Sequence, residues 1–164
     1  TGRATYFSKY DIVRDDYRAV MASCALPGFC RPVKVGDRYY YDGGVADSIP
    51  LHHAIEHGCT KMVVILSNPR DFVKKPEAHR PLYKHMLHKY PKTIQSIDNR
   101  HINYQASINR ACRLEKEGYV FIFAPSRHMP LSTFSKDAAL EQDLYDLGVA
   151  DYEARAEELK HFLN

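Results

Sequence analysis

The chain has no tryptophan, and none of its apolar runs approaches the ~18 residues that cross a bilayer, so no membrane-spanning helix is expected. Its opening, Thr1 to Tyr6, lacks the basic-then-apolar order of a secretory leader. It also lacks an initiator methionine, which reads as a sign that part of the natural protein precedes Thr1. Cysteine is sparse. Cys24, Cys30, Cys59 and Cys112 form no C-x-x-C pair, which argues against zinc and for reduced, buried thiols in an intracellular chain. A net charge of +3 is too small to suggest nucleic acid as a partner. No cofactor and no metal are expected.

What is present is an ordinary globular composition. The 164 residues are 45% hydrophobic and 26% charged, enough for one domain with a real core. Charge is unevenly placed. Lys74, Lys75, Arg80, Lys84, Lys89 and Lys92 are opposed only by Glu77, and the acids running from Asp137 to Glu158 are opposed only by Arg155. Solvated helix faces explain both stretches. Because Tyr83, Met86, Leu87 and Tyr90 interleave with the bases, the first also suits transient contact with an anionic membrane surface. Cytoplasmic residence with such peripheral contact is the expectation.

Local signals divide the chain into elements. Residues 15–25 read as a short helix, capped by Asp15 or Asp16 and stopped by Pro27-Gly28. Residues 31–35 and 38–41 read as a hairpin around Gly36-Asp37. Ser48 caps a helix that carries Pro50 in its first turn and ends at Gly58. The apolar run 61–66 suits a central strand covered on both faces, as in a parallel sheet, and residues 119–124 form a second buried strand. Residues 81–117 are helical with a break at Pro91, and Ile94, Ile97, His101, Tyr104, Ile108 and Cys112 lie on one stripe. The last helix places Leu140, Leu144, Leu147, Leu159 and Leu163 on one face, with a break at Gly148. Such alternation is that of an α/β layered fold. Two buried strands and a hairpin make a thin sheet, as though further strands lie outside the chain.

Residues 22–50 carry the most specific pattern. Ala22-Ser23-Cys24-Ala25-Leu26-Pro27-Gly28 is followed by Pro32-Val33, then Tyr41-Asp42-Gly43-Gly44-Val45, then Ile49-Pro50. Asp-Gly alone is a common turn dipeptide. In this order and spacing it resembles the second half of the patatin-like phospholipase family, in its bacterial predicted-esterase branch. There an A-S-x-A-x-P helix end precedes P-V, a strand, D-G-G or D-G-A, and a hydrophobic-Pro pair. A looser likeness continues through residues 81–130, so that it covers nearly the whole chain.

The resemblance implies an α/β/α three-layer sheet fold of which residues 1–164 are the C-terminal part. Residues 1–66 would be the segment bearing the catalytic aspartate and 67–164 a helical and strand extension. It implies a Ser-Asp dyad acting on a lipid or small ester, with Asp42 as general base and Gly43 and Gly44 supporting its turn. A serine hydroxyl attacks an ester poorly unless a base takes its proton. A free carboxylate, with a pKa near ~4, is a feeble base until desolvation strengthens it. Glycines after the aspartate let the backbone turn tightly and approach closely. The family's serine sits in G-x-S-x-G and its oxyanion loop is G-x-G-x-x-G. The glycines here, at 2, 28, 36, 43, 44, 58, 118 and 148, fit neither spacing. The chain by itself is therefore expected to be inactive, and a truncated sheet to expose an edge or apolar face for self-association. The alternative is a non-catalytic lipid-binding or interaction module of the same fold.

Other candidates are weaker. His53 with His57 and His85 with His88 lack the glutamate of H-E-x-x-H and read as surface or packing residues. Ser23 reads as a helix-end hydroxyl near the site, not a nucleophile. Arg31 is a lone candidate for a lipid phosphate, and Met21, Met62, Met86 and Met129 read as core filler or scattered surface.

Overall fold

Short β-favouring runs on either side of Gly36-Asp37 close into an antiparallel hairpin, β1 (Val33–Val35) and β2 (Arg38–Tyr40), in the computed structural model, which describes residues 1–130 and 136–164. Val33 faces Tyr40 and Val35 faces Arg38, leaving a two-residue loop whose Gly36 has a φ of 59°. A positive φ at the first loop residue alone is the glycine-first turn whose twist matches that of the strands.

The hairpin is preceded by α1 (Arg18–Ser23), shorter than expected. Asp15 lies outside it at a φ of 65°, and the N-cap is Tyr17, which makes no side-chain cap. Asp16 turns its carboxylate to the Arg18 guanidinium and backbone N–H instead. After the hairpin come a 3₁₀ turn (Gly43–Val45) and α2 (Leu51–Glu56), which Gly58 ends at a φ of 81°. Ser48 does not cap α2. Its hydroxyl donates to the Gly44 carbonyl at 2.7 Å. The chain continues through β3 (Met62–Ile65), α3 (Arg80–Met86), α4 (Pro91–Lys116), β4 (Val120–Phe123) and α5 (Ala138–Leu163). Pro91 opens α4, where a missing N–H costs nothing. Asp137 caps α5 by accepting from the N–H groups of Ala139 and Leu140. The break expected at Gly148 is not there, and α5 runs through it.

These elements form two compact units. Thr1–Pro50 and Lys74–Ser107 make one, and Leu51–Val73 and Ile108–Asn164 the other, so residues before and after position 66 contribute to both. The first unit is centred on Val45, Leu87, Ile94 and Ile97, with Tyr41 and Tyr83 packed against them. The apolar residues expected to lend the basic stretch a membrane-facing side are thus partly spent on this core. Leu87 is only 2% exposed, and Arg80 is paired with Asp98 at 2.7 Å. Lys74 is paired in turn with Glu77.

The second unit is built on β3 and β4, which pair in parallel from Met62↔Val120 to Ile65↔Phe123. Val120, Phe121 and Ile122 are buried, and α5 lies along β4 with the Arg155 guanidinium 4.4 Å from the Phe121 ring centre. Arg70 and Arg155 both donate to the Ile122 carbonyl. β3 departs from expectation. Only Met62 and Val64 are buried, while Val63 and Ile65 are exposed, so one face is covered and not two. The cysteines depart as well. Cys24, Cys30 and Cys59 are exposed and Cys112 is half-buried. Among the described residues, no helix is long and apolar enough to cross a membrane.

Candidate functional site

The geometry around Asp42 begins with small residues. Ala22 and Ala25, 1% and 4% exposed, let the end of α1 pack closely enough for the Ala25 carbonyl to accept the Asp42 N–H at 2.9 Å. β2 ends at Tyr40, and Tyr41 sets its ring edge-on to Tyr90 with centroids 5.7 Å apart. Burial, reinforced by Tyr90, holds the Tyr41 hydroxyl above its ordinary pKa. The chain therefore reaches Asp42 fastened on both sides.

Asp42 is the N-cap of the 3₁₀ turn. Its backbone is non-helical (φ −44°, ψ 126°), and Oδ1 accepts the Gly44 N–H at 2.7 Å. This is the aspartate capping geometry that satisfies an otherwise orphaned N–H. The turn closes on itself through Val45 N–H to Asp42 O and Ala46 N–H to Gly43 O. Val45 then plunges into the core of its unit. The carboxylate is half-buried, and its second oxygen has no hydrogen-bond partner among the described residues. One oxygen is thus spent on fixing the side chain and the other is left open.

The two glycines differ. Neither has a positive φ, so this turn makes no use of the left-handed backbone that glycine allows. A Cβ on Gly43 would meet only Ser23 Oγ at 3.8 Å, an ordinary contact. One on Gly44 would stand 3.1 Å from Asp42 Oδ1, tighter than packing normally allows. Close approach is therefore the role of Gly44 alone. Ser23 does lie beside the turn, at the end of α1, as its place in the motif suggested. Arg31 is exposed and makes none of the turn's hydrogen bonds. His57 Nδ1 lies 2.9 Å from the His53 carbonyl, and His88 Nδ1 the same distance from that of His85. Among the described residues, no group of three or more His, Cys, Asp and Glu side chains is placed to hold a metal ion.

Four further residues complete the setting. The Gly44 carbonyl accepts from Ser48 Oγ and, at 3.0 Å, from Arg100 Nε. Arg100 in turn meets Glu77 at 3.1 Å, and Lys74 meets the same carboxylate at 3.5 Å. Ser48 had a local signal in its four-residue spacing from Gly44, a reach over which serine hydroxyls back-bond to carbonyls. Arg100 had none, being 56 positions away.

The family model for patatin-like phospholipase matches residues 9–55, a span containing α1, the hairpin and Asp42. A separate model, a domain of unknown function (DUF6363), matches residues 90–164. The patatin likeness is therefore confined to the first third of the chain, and does not extend over nearly all of it as expected. The uncharacterized protein YjjU of Escherichia coli K12 is 37% identical over 59 residues, which are 35% of this chain and 16% of that protein. The chain thus matches less than a fifth of that relative's length. No solved structure matches.

Proposed function

We propose that residues 9–55 contribute the general base of a lipid acyl-ester hydrolase, with Asp42 paired to a serine that lies outside these 164 residues. One observation carries the reading. Asp42 holds one carboxylate oxygen on the Gly44 N–H and leaves the other open, within a segment similar to patatin-like phospholipase. In this reading residues 1–66 bear the base, 67–164 are an extension of the hydrolase, and the remaining strands of a three-layer α/β/α sheet come from the rest of the protein.

The chemistry needs only that open oxygen. Asp42 takes the serine proton as the serine oxygen bonds to the acyl carbon, then returns it to the departing alcohol. Water next gives a proton to Asp42 and attacks the acyl-serine. The carboxylic acid leaves, and the serine recovers its proton. Because Oδ1 stays on the Gly44 N–H throughout, the base need not reorient between the two halves.

In the intact protein, Asp42→Asn keeps the shape and removes the base. Its turnover of a short-chain nitrophenyl ester is expected to fall by about 10²–10⁴-fold. Wild-type turnover in that variant would sink the reading. The isolated chain is expected to hydrolyse nothing, and Asp42-dependent hydrolysis by residues 1–164 alone would refute the split site. The second reading, a lipid-binding or interaction module, draws on the separate match over residues 90–164. Failure of the intact protein to label with a fluorophosphonate, which needs an activated serine, would favour it.

A further inference from the structure

The Asp42 turn is not held by its own segment alone. Gly44 is gripped from two sides: its N–H by Asp42 Oδ1, and its C=O by Ser48 Oγ and Arg100 Nε. Arg100 lies on α4, in the part of the chain that matches the domain of unknown function, whereas Asp42 and Gly44 lie in the part similar to patatin-like phospholipase. The same helix sends Ile94 and Ile97 into the cluster that buries Val45, the last residue of the turn. Two regions matched by separate family models therefore meet at this turn, within one compact unit.

We infer that Arg100 is a positioning residue for Asp42, and that the start of the domain of unknown function serves as the buttress of the base. The inference rests on the reading of Asp42 as that base. A guanidinium presents donors in a fixed planar fork. Here Nε is aimed at the Gly44 carbonyl and another arm at Glu77, which fixes the plane of the group. Arg100 Nη2 and Asp42 Oδ1 both lie within 4 Å of the point where a Gly44 Cβ would stand, so the fork and the carboxylate flank the same glycine. Its side chain is about one-quarter exposed, which limits the freedom of water to replace it at the carbonyl. Without Arg100, the Gly44 carbonyl keeps only the Ser48 hydroxyl, a rotatable single donor. The capping N–H, and with it the carboxylate, is then free to shift.

A lysine carries its three N–H donors on a single nitrogen, without the spread of the guanidinium fork, and so does not reproduce the arginine's paired geometry at Gly44 and Glu77. The order of effects is therefore wild type, then Arg100→Lys, then Arg100→Ala. Glu77→Gln, which keeps a hydrogen-bond acceptor but loses the charge, falls nearer wild type.

The test uses the intact protein and two readouts: steady-state ester hydrolysis, and amide hydrogen exchange of residues 42–47 followed by mass spectrometry. Arg100→Ala is expected to lower kcat by about 10- to 100-fold with KM nearly unchanged, the size of effect that a small misplacement of a reacting group produces. Exchange over 42–47 is expected to accelerate while peptides from β3 and β4 exchange as before. Arg100→Lys should recover part of both, and serves as the working variant if Arg100→Ala does not fold. The inference is overturned if Asp42→Asn abolishes activity while the Arg100 variants leave kcat and exchange at wild-type values. It is equally overturned if exchange accelerates throughout the protein, since that marks a general loss of stability. Wild-type turnover in Asp42→Asn instead overturns the base assignment, and exchange over 42–47 then decides on its own whether Arg100 holds the turn.

Discussion

At the scale of single residues, the glycines after Asp42 show how far one methyl group matters. Gly43→Ala meets ordinary contacts and is expected to leave turnover of the intact protein close to wild type. Gly44→Ala must displace the Asp42 carboxylate by a few tenths of an ångström, since its Cβ would fall 3.1 Å from Oδ1. A loss on the order of ~10-fold in kcat is expected for it, which steady-state assays of the two variants would check. A second residue-scale effect is electrostatic. Hydrogen bonds from Arg80 first, and then from Tyr83, hold Asp98 down at about 2 against an ordinary 3.8. A carboxyl whose folded value is depressed adds stability that is complete above its unfolded value and vanishes as pH falls through the folded one. Asp98→Asn should therefore be less stable than wild type at neutral pH, with the gap narrowing between pH 4 and pH 2. Tyr83 works at the other end. Burial, aided by Asp98, raises it to about 12, so its contribution is lost only as pH climbs beyond 10. Urea midpoints measured across pH check both limbs.

At the scale of elements, α5 is the clearest case of a local signal overridden. Glycine in a helix interior costs only about 1 kcal/mol relative to alanine, too little to break a 26-residue helix on its own. Gly148 has no atom within 4 Å of the position its Cβ would take. Gly148→Ala is accordingly expected to stabilise the protein by about 0.5–1 kcal/mol, measured by thermal or urea unfolding. Helix starts show the reverse. Pro91 and Asp137 open α4 and α5, because a ring without an N–H and a carboxylate that accepts orphan N–H groups suit only that position. Ser48 had the right chemistry for a cap as well, but α2 begins only at Leu51, and the Ser48 hydroxyl donates to the Gly44 carbonyl instead.

At the scale of the whole molecule, each unit is internally tied while one sheet face stays uncovered. Val63 and Ile65, 41% and 79% exposed, alternate along β3 with buried Met62 and Val64. In the reading proposed above, further elements of the sheet would cover this face. Ile65→Ala is expected to cost less than ~1 kcal/mol in the isolated chain, where the side chain is already in water. In the intact protein, if further elements cover that face, the same change should cost about 2–5 kcal/mol, the range for buried isoleucine. Equal costs in denaturant titrations of the two would refute the larger-sheet reading.

The sequence by itself determined the features that depend on a few neighbouring residues. The Gly36-Asp37 hairpin, the helix ends at Gly58 and Gly118 and the start of α4 at Pro91 all follow from backbone sterics and local hydrogen bonds. It also displayed the apolar stripe of α4, and Ile94, Ile97 and Ile108 are buried along it. Tertiary structure alone decided which partners these elements found. Nothing in the pattern around Arg100 distinguishes it from a solvated helix arginine, yet folding carries it across 56 positions to the Gly44 carbonyl. Likewise, an apolar run such as 61–66 reads the same whether one or both of its faces are covered. Local preferences act over a turn or two of chain, whereas the identity of a distant partner depends on how whole elements pack. The turn at Asp42-Gly43 was therefore legible in its own dipeptide, and the arginine that meets it only in the fold.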